Sequence, residues 1–209
     1  MIHPDTRLGV VDEVVGYGLF ATRPIPKGTI TWVLDELDQL LPPSQVDRLG
    51  DPYAAALEHY SYPNSNGHRV LCWDIGRFMN HSCEPNSISP GVDFEIAVRD
   101  IAAGEQLLCD YGTLNLAGAF ECRCGEPSCR GTVQPEDFER FAPRWDQDVR
   151  AAFPRIREVE QPLWRLVSMR DRAAIEAGIS AAEHIPSVLV HRFDGARERA
   201  RRRVRAVAR

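Results

Sequence analysis

The chain has 209 residues, of which 44% are apolar, and this is enough to bury a sizeable hydrophobic core. No run of about 18 apolar residues occurs, so the sequence predicts no membrane span. The chain does not begin with a basic segment followed by an apolar one, as a signal peptide would. We therefore expect an intracellular protein, cytoplasmic in a bacterium or nuclear in a eukaryote.

The net charge of −5 hides a difference between two parts of the chain. Residues 1–133 contain 9 Lys and Arg against 18 Asp and Glu, whereas residues 134–209 contain 16 against 12. An acidic first part favours basic partners, such as peptide segments rich in lysine and arginine, and disfavours nucleic acid.

Short β-like segments separated by glycine and proline predict a mostly β domain over residues 1–118. The predicted strands are residues 8–15, 29–34, 70–73, 94–98 and 106–108. Two short helices are expected between them, one after Pro42 and one over residues 53–60, where Asp51-Pro52 gives a typical helix start.

The pattern becomes helical after Gln134, where apolar residues recur at spacings of three and four. The predicted helices are residues 135–141, 147–153, 163–177 and 179–191. Pro143, Pro154 and Pro162 lie between them, and Pro186 lies within the last. Residues 134–209 therefore form a helical, Arg-rich C-terminal extension. Its last 18 residues contain eight arginines, which indicate a solvated basic helix or frayed tail, or an anchor for nucleic acid or an acidic partner.

Cysteines mark residues 119–133 as a metal-binding segment. Cys122, Cys124 and Cys129 have the spacing C-x-C-x4-C, which suits one soft metal ion, and tetrahedral zinc needs a fourth ligand. Cys83 is the natural candidate, because it belongs to the other unusual polar cluster of the chain. Cys72 and Cys109 lie in apolar runs, where a buried thiol is the simpler interpretation.

Two further segments carry weaker signals. Gly16-Tyr17-Gly18 allows the backbone to approach a ligand closely or to adopt positive φ, although an ordinary hairpin turn is the alternative. No helix pattern follows it, so it is not a dinucleotide-binding fingerprint. Tyr60 and Tyr62, two residues apart in an extended segment, would share one face, as core residues or as part of a site.

Four segments taken together resemble the SET-domain protein lysine methyltransferases: residues 16–18 (GYG), 77–83 (RFMNHSC), 104–112 (GEQLLCDYG) and 122–131, which is similar to the cysteine-rich post-SET tail. The resemblance is to the compact bacterial or viral members. It implies small curved β-sheets with a pseudoknot, in which the D-Y-G segment threads beside the N-H-S-C loop. It also implies S-adenosylmethionine as methyl donor, bound zinc, and the lysine of a basic protein as acceptor in a narrow channel.

Site roles follow from this resemblance. It implies that the cofactor is bound by Gly16, Tyr17, Gly18, Arg77, Asn80, His81 and Tyr111, with a structural ion pair as the alternative role of Arg77. It implies that Tyr111 is the catalytic tyrosine and that Tyr60 is the second channel tyrosine, with Tyr62 as competitor. The predicted zinc ligands are Cys83, Cys122, Cys124 and Cys129. Phe138 is expected to cover the adenine.

Methyl transfer to an amine requires alignment more than a strong base. Desolvation in the channel and the sulfonium charge both lower the pKa of the substrate lysine, so we expect no Asp or Glu as general base. We therefore assign structural roles to Asp110 and Glu105. Cys109 stands where the family usually has Phe or Tyr, and the smaller side chain predicts a roomier pocket that makes di- or trimethyl-lysine.

Two other functions compete with lysine methylation. A catalytically silent SET module would act as an adaptor that binds protein or nucleic acid through the C-terminal extension. A Cys-His hydrolase would use Cys83 and His81, but the sequence offers no evident residue to orient the histidine.

Overall fold

The structure is a computed structural model that describes residues 1–194. The predicted Arg-rich tail lies largely outside the described residues. The strands are β1 (Thr6–Asp12), β2 (Gly16–Ala21), β3 (Ile30–Val33), β4 (Gln39–Leu41), β5 (Ser61–Pro63), β6 (Arg69–Leu71), β7 (Asn80–His81), β8 (Ser87–Ile88), β9 (Phe94–Ala97), β10 (Gln106–Cys109), β11 (Phe120–Glu121) and β12 (Thr132–Val133). The α-helices are α1 (Pro43–Val46), α2 (Tyr53–Tyr60), α3 (Asp137–Ala152) and α4 (Met169–Ser180).

The strands form four small sheets with the orders β1-β2-β10-β7, β3-β9-β8, β4-β6-β5 and β11-β12. All pairs are antiparallel except β7 and β10. The predicted fold class, small β-sheets followed by a helical extension, is confirmed. No helix within residues 1–194 is long and apolar enough to cross a membrane.

The parallel pair β7–β10 joins two of the segments that the sequence analysis singled out. Leu108 lies opposite Asn80, and Cys109 lies opposite His81. The backbone N–H of Ser82 extends the contact by donating to the carbonyl of Cys109 at 2.9 Å. The D-Y-G segment therefore runs beside the N-H-S-C segment, as the resemblance predicts.

The prediction of two helices separated at Pro143 is wrong, because α3 is continuous from Asp137 to Ala152 with Pro143 inside it. Phe138, Trp145 and Val149 are buried and recur on one face of the helix on both sides of the proline. Packing of this face offsets the cost of a proline in a helix interior.

The other C-terminal helices also differ from the prediction. The third helix begins at Met169 rather than at residue 163, because the hydroxyl of Ser168 accepts a hydrogen bond from the N–H of Asp171 at 3.1 Å and caps it. The fourth predicted helix is wrong. Residues 179–191 instead contain the end of α4 and two short 3-10 turns, Ala182–His184 and Val188–His191, with Pro186 between them.

The helical extension packs into the same core as the sheet β3-β9-β8. Its buried apolar side chains and those of the sheet form one contiguous cluster. The central members are Ile30, Val33, Phe94, Ile96, Phe138, Trp145, Val149, Phe153, Ile156 and Ile175. A second cluster lies around Leu19, Ile25 and Leu107, under the sheet that contains β2 and β10. The three-part division of the chain stays a prediction, but residues 134–194 complete the hydrophobic core.

Candidate active site and metal centre

The four predicted zinc ligands lie together. The sulfur atoms of Cys83, Cys122, Cys124 and Cys129 all fall within 4.8 Å of one another. The Sγ atoms of Cys83 and Cys122 are 3.7 Å apart, close to the edge of about 3.8 Å expected for a tetrahedron with Zn–S bonds of about 2.3 Å. None of the four forms a disulfide.

The long loop between β11 and β12 carries three of these cysteines. The loop between β11 and β12 closes through a hydrogen bond from the N–H of Cys122 to the carbonyl of Gly131, at 2.8 Å. Inside it, the N–H of Cys129 donates to the carbonyl of Glu126 at 2.9 Å. Cys83 follows β7 and reaches the cluster from a distant part of the chain. The donor set and its spacing fit one tetrahedral metal ion.

Arg130 connects this cluster to the rest of the site. Its Nε lies 3.3 Å from the Sγ of Cys83, and a terminal nitrogen lies 2.5 Å from Oδ1 of Asp110. The other terminal nitrogen is 3.3 Å from Oδ2 of Asp137, the first residue of α3. The guanidinium also stacks over the ring of Phe141 at 4.7 Å. One partly buried side chain thus joins the cysteines, the D-Y-G segment and the helical extension.

Asp110 has the structural role that the sequence analysis assigned to it. Its Oδ1 accepts from the N–H of Gly112 at 2.9 Å and starts the 3-10 turn Tyr111–Thr113. Its Oδ2 accepts from the indole N–H of Trp145 at 3.2 Å. Glu105 is also structural, because it pairs with Arg99 at 2.6 Å and accepts from the N–H of Ala102.

His81 is a neutral histidine between Tyr111 and the cysteine cluster. Burial, and then the positive charge of Arg130, lower the pKa of His81 to about 4. Its Nδ1 accepts from the N–H of Tyr111 at 3.1 Å, so the ring proton is on Nε2, which lies 3.5 Å from the Sγ of Cys83. The Sγ of Cys83 lies 3.7 Å from that of Cys122 within the four-cysteine cluster, a position that suits a metal ligand better than the nucleophile of a hydrolase.

Gly16 and Gly18 of β2 are each required for a different structural reason. Gly16 has φ of +79°, where only glycine is unstrained, and a Cβ there would point into open space. At Gly18 a Cβ would lie 2.5 Å from the side chain of Gln106 and 2.8 Å from the amide nitrogen of Asn80. Asn80 uses this room to donate to the carbonyl of Tyr17 at 2.9 Å. The predicted cofactor residues of β2 and β7 are therefore in direct contact.

Aromatic rings connect this region to α2. Phe78 packs edge-on against Tyr17 at 5.9 Å and against Tyr60 at 5.7 Å, measured between ring centroids. Arg77 is exposed and stacks over the ring of Phe78 at 5.6 Å. It has no carboxylate at ion-pair distance among residues 1–194, so its predicted structural ion pair is absent there.

A cavity of about 200 Å³ lies beside Tyr111. Its walls include the residues that we predicted to form the lysine channel, together with others that we did not single out for it. They are Trp32, Tyr60, Tyr62, Cys72, Arg77, Met79, Glu95, Cys109, Tyr111 and Leu114, among others. Tyr60 and Tyr62 both line the cavity, Tyr60 from the end of α2 and Tyr62 from β5, so they do not share one extended segment.

The hydroxyl of Tyr111 donates to the carbonyl of Met79 at 2.8 Å, and both residues line the cavity. Burial raises the pKa of Tyr111, so the hydroxyl stays protonated and can act as a donor. The Tyr111 ring also contacts His81 at 5.5 Å and Phe120 at 6.1 Å between centroids. Tyr111 therefore contacts both the cavity and the cluster of predicted cofactor residues.

The expectation that Phe138 covers the adenine is wrong. Phe138 is 1% exposed and packs edge-on against Trp145 in the core. Phe120, two residues before Cys122, is the aromatic side chain that contacts His81 and Tyr111. An aromatic residue next to a metal-binding cysteine was the available signal for it. Phe78 was visible inside the RFMNHSC motif, whereas Glu95 was missed altogether.

The pattern of the SET domain family matches residues 16–112. This part of the chain is a SET domain, and the family predicted from the motifs is confirmed. The match ends at Gly112, the last residue of the D-Y-G segment, and thus covers the first three of the four predicted motifs.

Curated relatives carry the same kind of domain within much longer proteins. The chain is 35% identical over 138 residues to the human protein named histone-lysine N-methyltransferase EHMT1, which covers 56% of this chain and 10% of that protein. It is 32% identical over 133 residues to histone-lysine N-methyltransferase ash1 of Drosophila melanogaster, covering 56% and 6%. The H3 lysine-4 specific histone-lysine N-methyltransferase of Schizosaccharomyces pombe is 43% identical over 65 residues, 28% of this chain and 7% of that protein. The chain thus spans about a tenth or less of the length of these relatives.

Proposed function

We propose that this protein transfers a methyl group from S-adenosylmethionine to the lysine side chain of a basic protein. One observation carries the proposal. Tyr111 lines a cavity with Tyr60, Tyr62 and Met79, and the same ring contacts His81 and Phe120. A donor bound on one side and a lysine inserted from the other would meet at this tyrosine. The names of the relatives, which are histone-lysine methyltransferases, support the reaction class.

The donor would bind beside β2 and β7, where Asn80 contacts Tyr17. Gly16 leaves open space above its backbone, and Asn80 holds the carbonyl of Tyr17 in place. Phe120 is an aromatic ring next to His81, and an aromatic ring suits contact with a purine. S-adenosylmethionine supplies an electrophilic methyl group when it is bound there.

The lysine would enter the cavity, where the aromatic rings of Tyr60 and Tyr62 suit its aliphatic stem and its cationic end. The hydroxyl of Tyr111 and the carbonyl of Met79 lie at one point of the wall and can align the nitrogen with the methyl group. The excess of acidic residues in residues 1–133 supports a basic protein as the source of the lysine.

The cysteine cluster would hold a structural zinc ion that fixes the hairpin carrying Phe120. All four possible ligands are cysteines, so the ion would have no open position for chemistry. Its role would be to hold the post-SET segment against β7.

Methyl transfer from labelled S-adenosylmethionine to a panel of basic proteins tests the proposal. We expect label on lysine with the wild type and a large loss with Tyr111→Phe, which removes one hydroxyl. Tyr53→Phe is the matched control, since Tyr53 is 70% exposed on α2 and does not line the cavity. If the wild type binds the donor but labels no lysine, the silent adaptor becomes the better hypothesis.

A further inference from the structure

Glu95 is an acidic residue in the wall of the cavity. From the sequence we expected no Asp or Glu as a general base there. It lies on β9, the central strand of the sheet β3-β9-β8, opposite Trp32 of β3. Its neighbours on the strand, Phe94 and Ile96, are fully buried, whereas Glu95 keeps some accessible surface. Glu95 lines this cavity and also a second, smaller cavity of about 60 Å³.

The hydroxyls of Thr31 and Ser87 form a short hydrogen-bonded chain that ends at the carboxylate of Glu95. The hydroxyl of Ser87 on β8 donates to Oε2 of Glu95 at 2.7 Å. The hydroxyls of Thr31 and Ser87 are 2.5 Å apart, and because the Ser87 proton goes to Glu95, Thr31 is the donor in that pair. Oε2 is therefore oriented by the protein, while Oε1 has no hydrogen-bond donor among the described residues.

Glu95 has no cationic partner within residues 1–194. A buried carboxylate is costly unless it is paired or neutralised. Burial accordingly raises the pKa of Glu95 to about 6, and the hydrogen bond from Ser87 opposes this rise. A carboxylic acid of this pKa changes its protonation state near neutral pH.

The lining of the cavity also contains His59, Arg77 and Arg69, the last of which pairs with Glu58. The thiols and phenols of the lining stay neutral when Glu95 ionises. Burial, and then Asp38, raise the pKa of the Cys72 thiol to about 12. Burial also raises the pKa values of Tyr62 on β5, Cys109 on β10 and Tyr111 well into the alkaline range. Compared with these thiols and phenols, Glu95 is the group that changes its protonation state near neutral pH.

We infer that Glu95 accepts the proton of the substrate ammonium in the cavity before methyl transfer. This inference rests on the proposed function and adds a general base to it. The proton leaves the nitrogen for the carboxylate, so that a neutral amine faces a neutral acid. The amine lone pair then forms the N–C bond as the C–S bond of the sulfonium breaks, leaving a methylammonium and a thioether. The acid passes its proton to water before the next cycle.

The same carboxylate would make the cavity selective for a side chain with a cationic end group. An ammonium ion pairs with Glu95 on entry, which removes the cost of the lone buried charge. An uncharged side chain of the same length leaves that cost in place. The cavity thus favours a cationic amine end group and can convert it to the neutral nucleophile.

The test is the pH profile of kcat/KM for methyl transfer to a lysine substrate, for wild type and Glu95→Gln. Gln keeps the size of the side chain and an acceptor for Ser87 but cannot take up the proton. We expect the wild-type rate to rise through about pH 6 and then level off. Glu95→Gln should be slower by on the order of 100-fold near neutral pH and should regain activity steadily as the pH increases toward the lysine pKa.

Two variants control this experiment. Ser87→Ala removes the hydrogen bond that lowers the pKa of Glu95, so the rise in its profile should move to higher pH with little change in the plateau. Glu36→Gln changes an exposed glutamate outside the cavity and should leave the profile unchanged. Thermal unfolding of each variant shows that a rate change is not caused by loss of fold.

The outcomes separate the two proposals. If the wild type methylates lysine and the Glu95→Gln profile has the wild-type shape, merely lowered or unchanged, the general base is refuted while the methyltransferase stands. If the wild type methylates no lysine at any pH, the proposed function fails, and the base fails with it. A profile that changes slope in Glu95→Gln and shifts in Ser87→Ala supports the inference.

Discussion

The buried carboxylate of Glu95 makes a prediction about stability that needs no substrate. The pKa of Glu95 rises from 4.5 to about 6 on folding, so the folded protein binds more protons than the unfolded chain between these values. The contribution of Glu95 to the free energy of unfolding therefore falls as the pH rises through this window and levels off above it. Glu95→Gln should abolish this loss, since Gln does not ionise.

The difference between a pKa of 4.5 in the unfolded chain and about 6 in the folded protein corresponds to about 2 kcal/mol of unfolding free energy. We expect Glu95→Gln to be more stable than wild type by about this amount at neutral pH and nearly equal to it at about pH 4. For a chain of this length the difference amounts to a rise in Tm of about 4–8 °C at neutral pH.

Denaturant unfolding of both proteins across this pH range measures the effect, with Glu36→Gln as the control. Taking the difference between variant and wild type at each pH cancels the contributions of the other titrating groups. A difference that does not vary with pH, or a variant less stable than wild type at neutral pH, would refute the argument that the carboxylate is buried without a cationic partner.

Three further predictions concern the metal site, the pocket and the core. Cys83→Ser should bind far less zinc than the wild type, whereas Cys72→Ser should keep about one ion per chain, as measured by metal analysis; equal metal content would exclude Cys83 as a ligand. Cys109→Phe should restrict the product to monomethyl-lysine in mass spectrometry, and a product still rich in trimethyl-lysine would contradict the pocket argument. Trp145→Phe removes the hydrogen bond to Asp110 and should cost about 1–3 kcal/mol of unfolding free energy in denaturant titration; an unchanged midpoint would show that water replaces the indole.

Locally encoded features could be predicted from the sequence. The helix Tyr53–Tyr60 has the predicted bounds, and β3, β6, β9 and β10 each lie within about two residues of theirs. Their signals, runs of β-branched residues, glycine and proline turns, and a helix start at Asp51-Pro52, act over a few residues. The metal-ligand set was also accessible, because C-x-C-x4-C places three ligands in one loop.

Features that depend on distant contacts could not be predicted in this way. Pro143 is a local signal for a helix end, but the helix continues because its buried face packs against the sheet β3-β9-β8. Phe138 was misplaced for the same reason, since nothing near it in sequence distinguishes a core ring from one that covers a ligand. Glu95 stands in an apolar strand. It lines a cavity because residues of β5, β6 and β10, which are distant in sequence, form other parts of the cavity wall.

The shared core determines where this chain can be divided. The matched domain ends at residue 112, yet the sheet β3-β9-β8 has its apolar side covered by Phe138, Trp145, Val149 and Ile175 from the region beyond it. A fragment cut after Val133 would leave this apolar surface in water, so it would be prone to aggregate rather than fold. Chimeras with other SET proteins should therefore exchange α3 together with the sheet β3-β9-β8, since each covers the apolar side of the other.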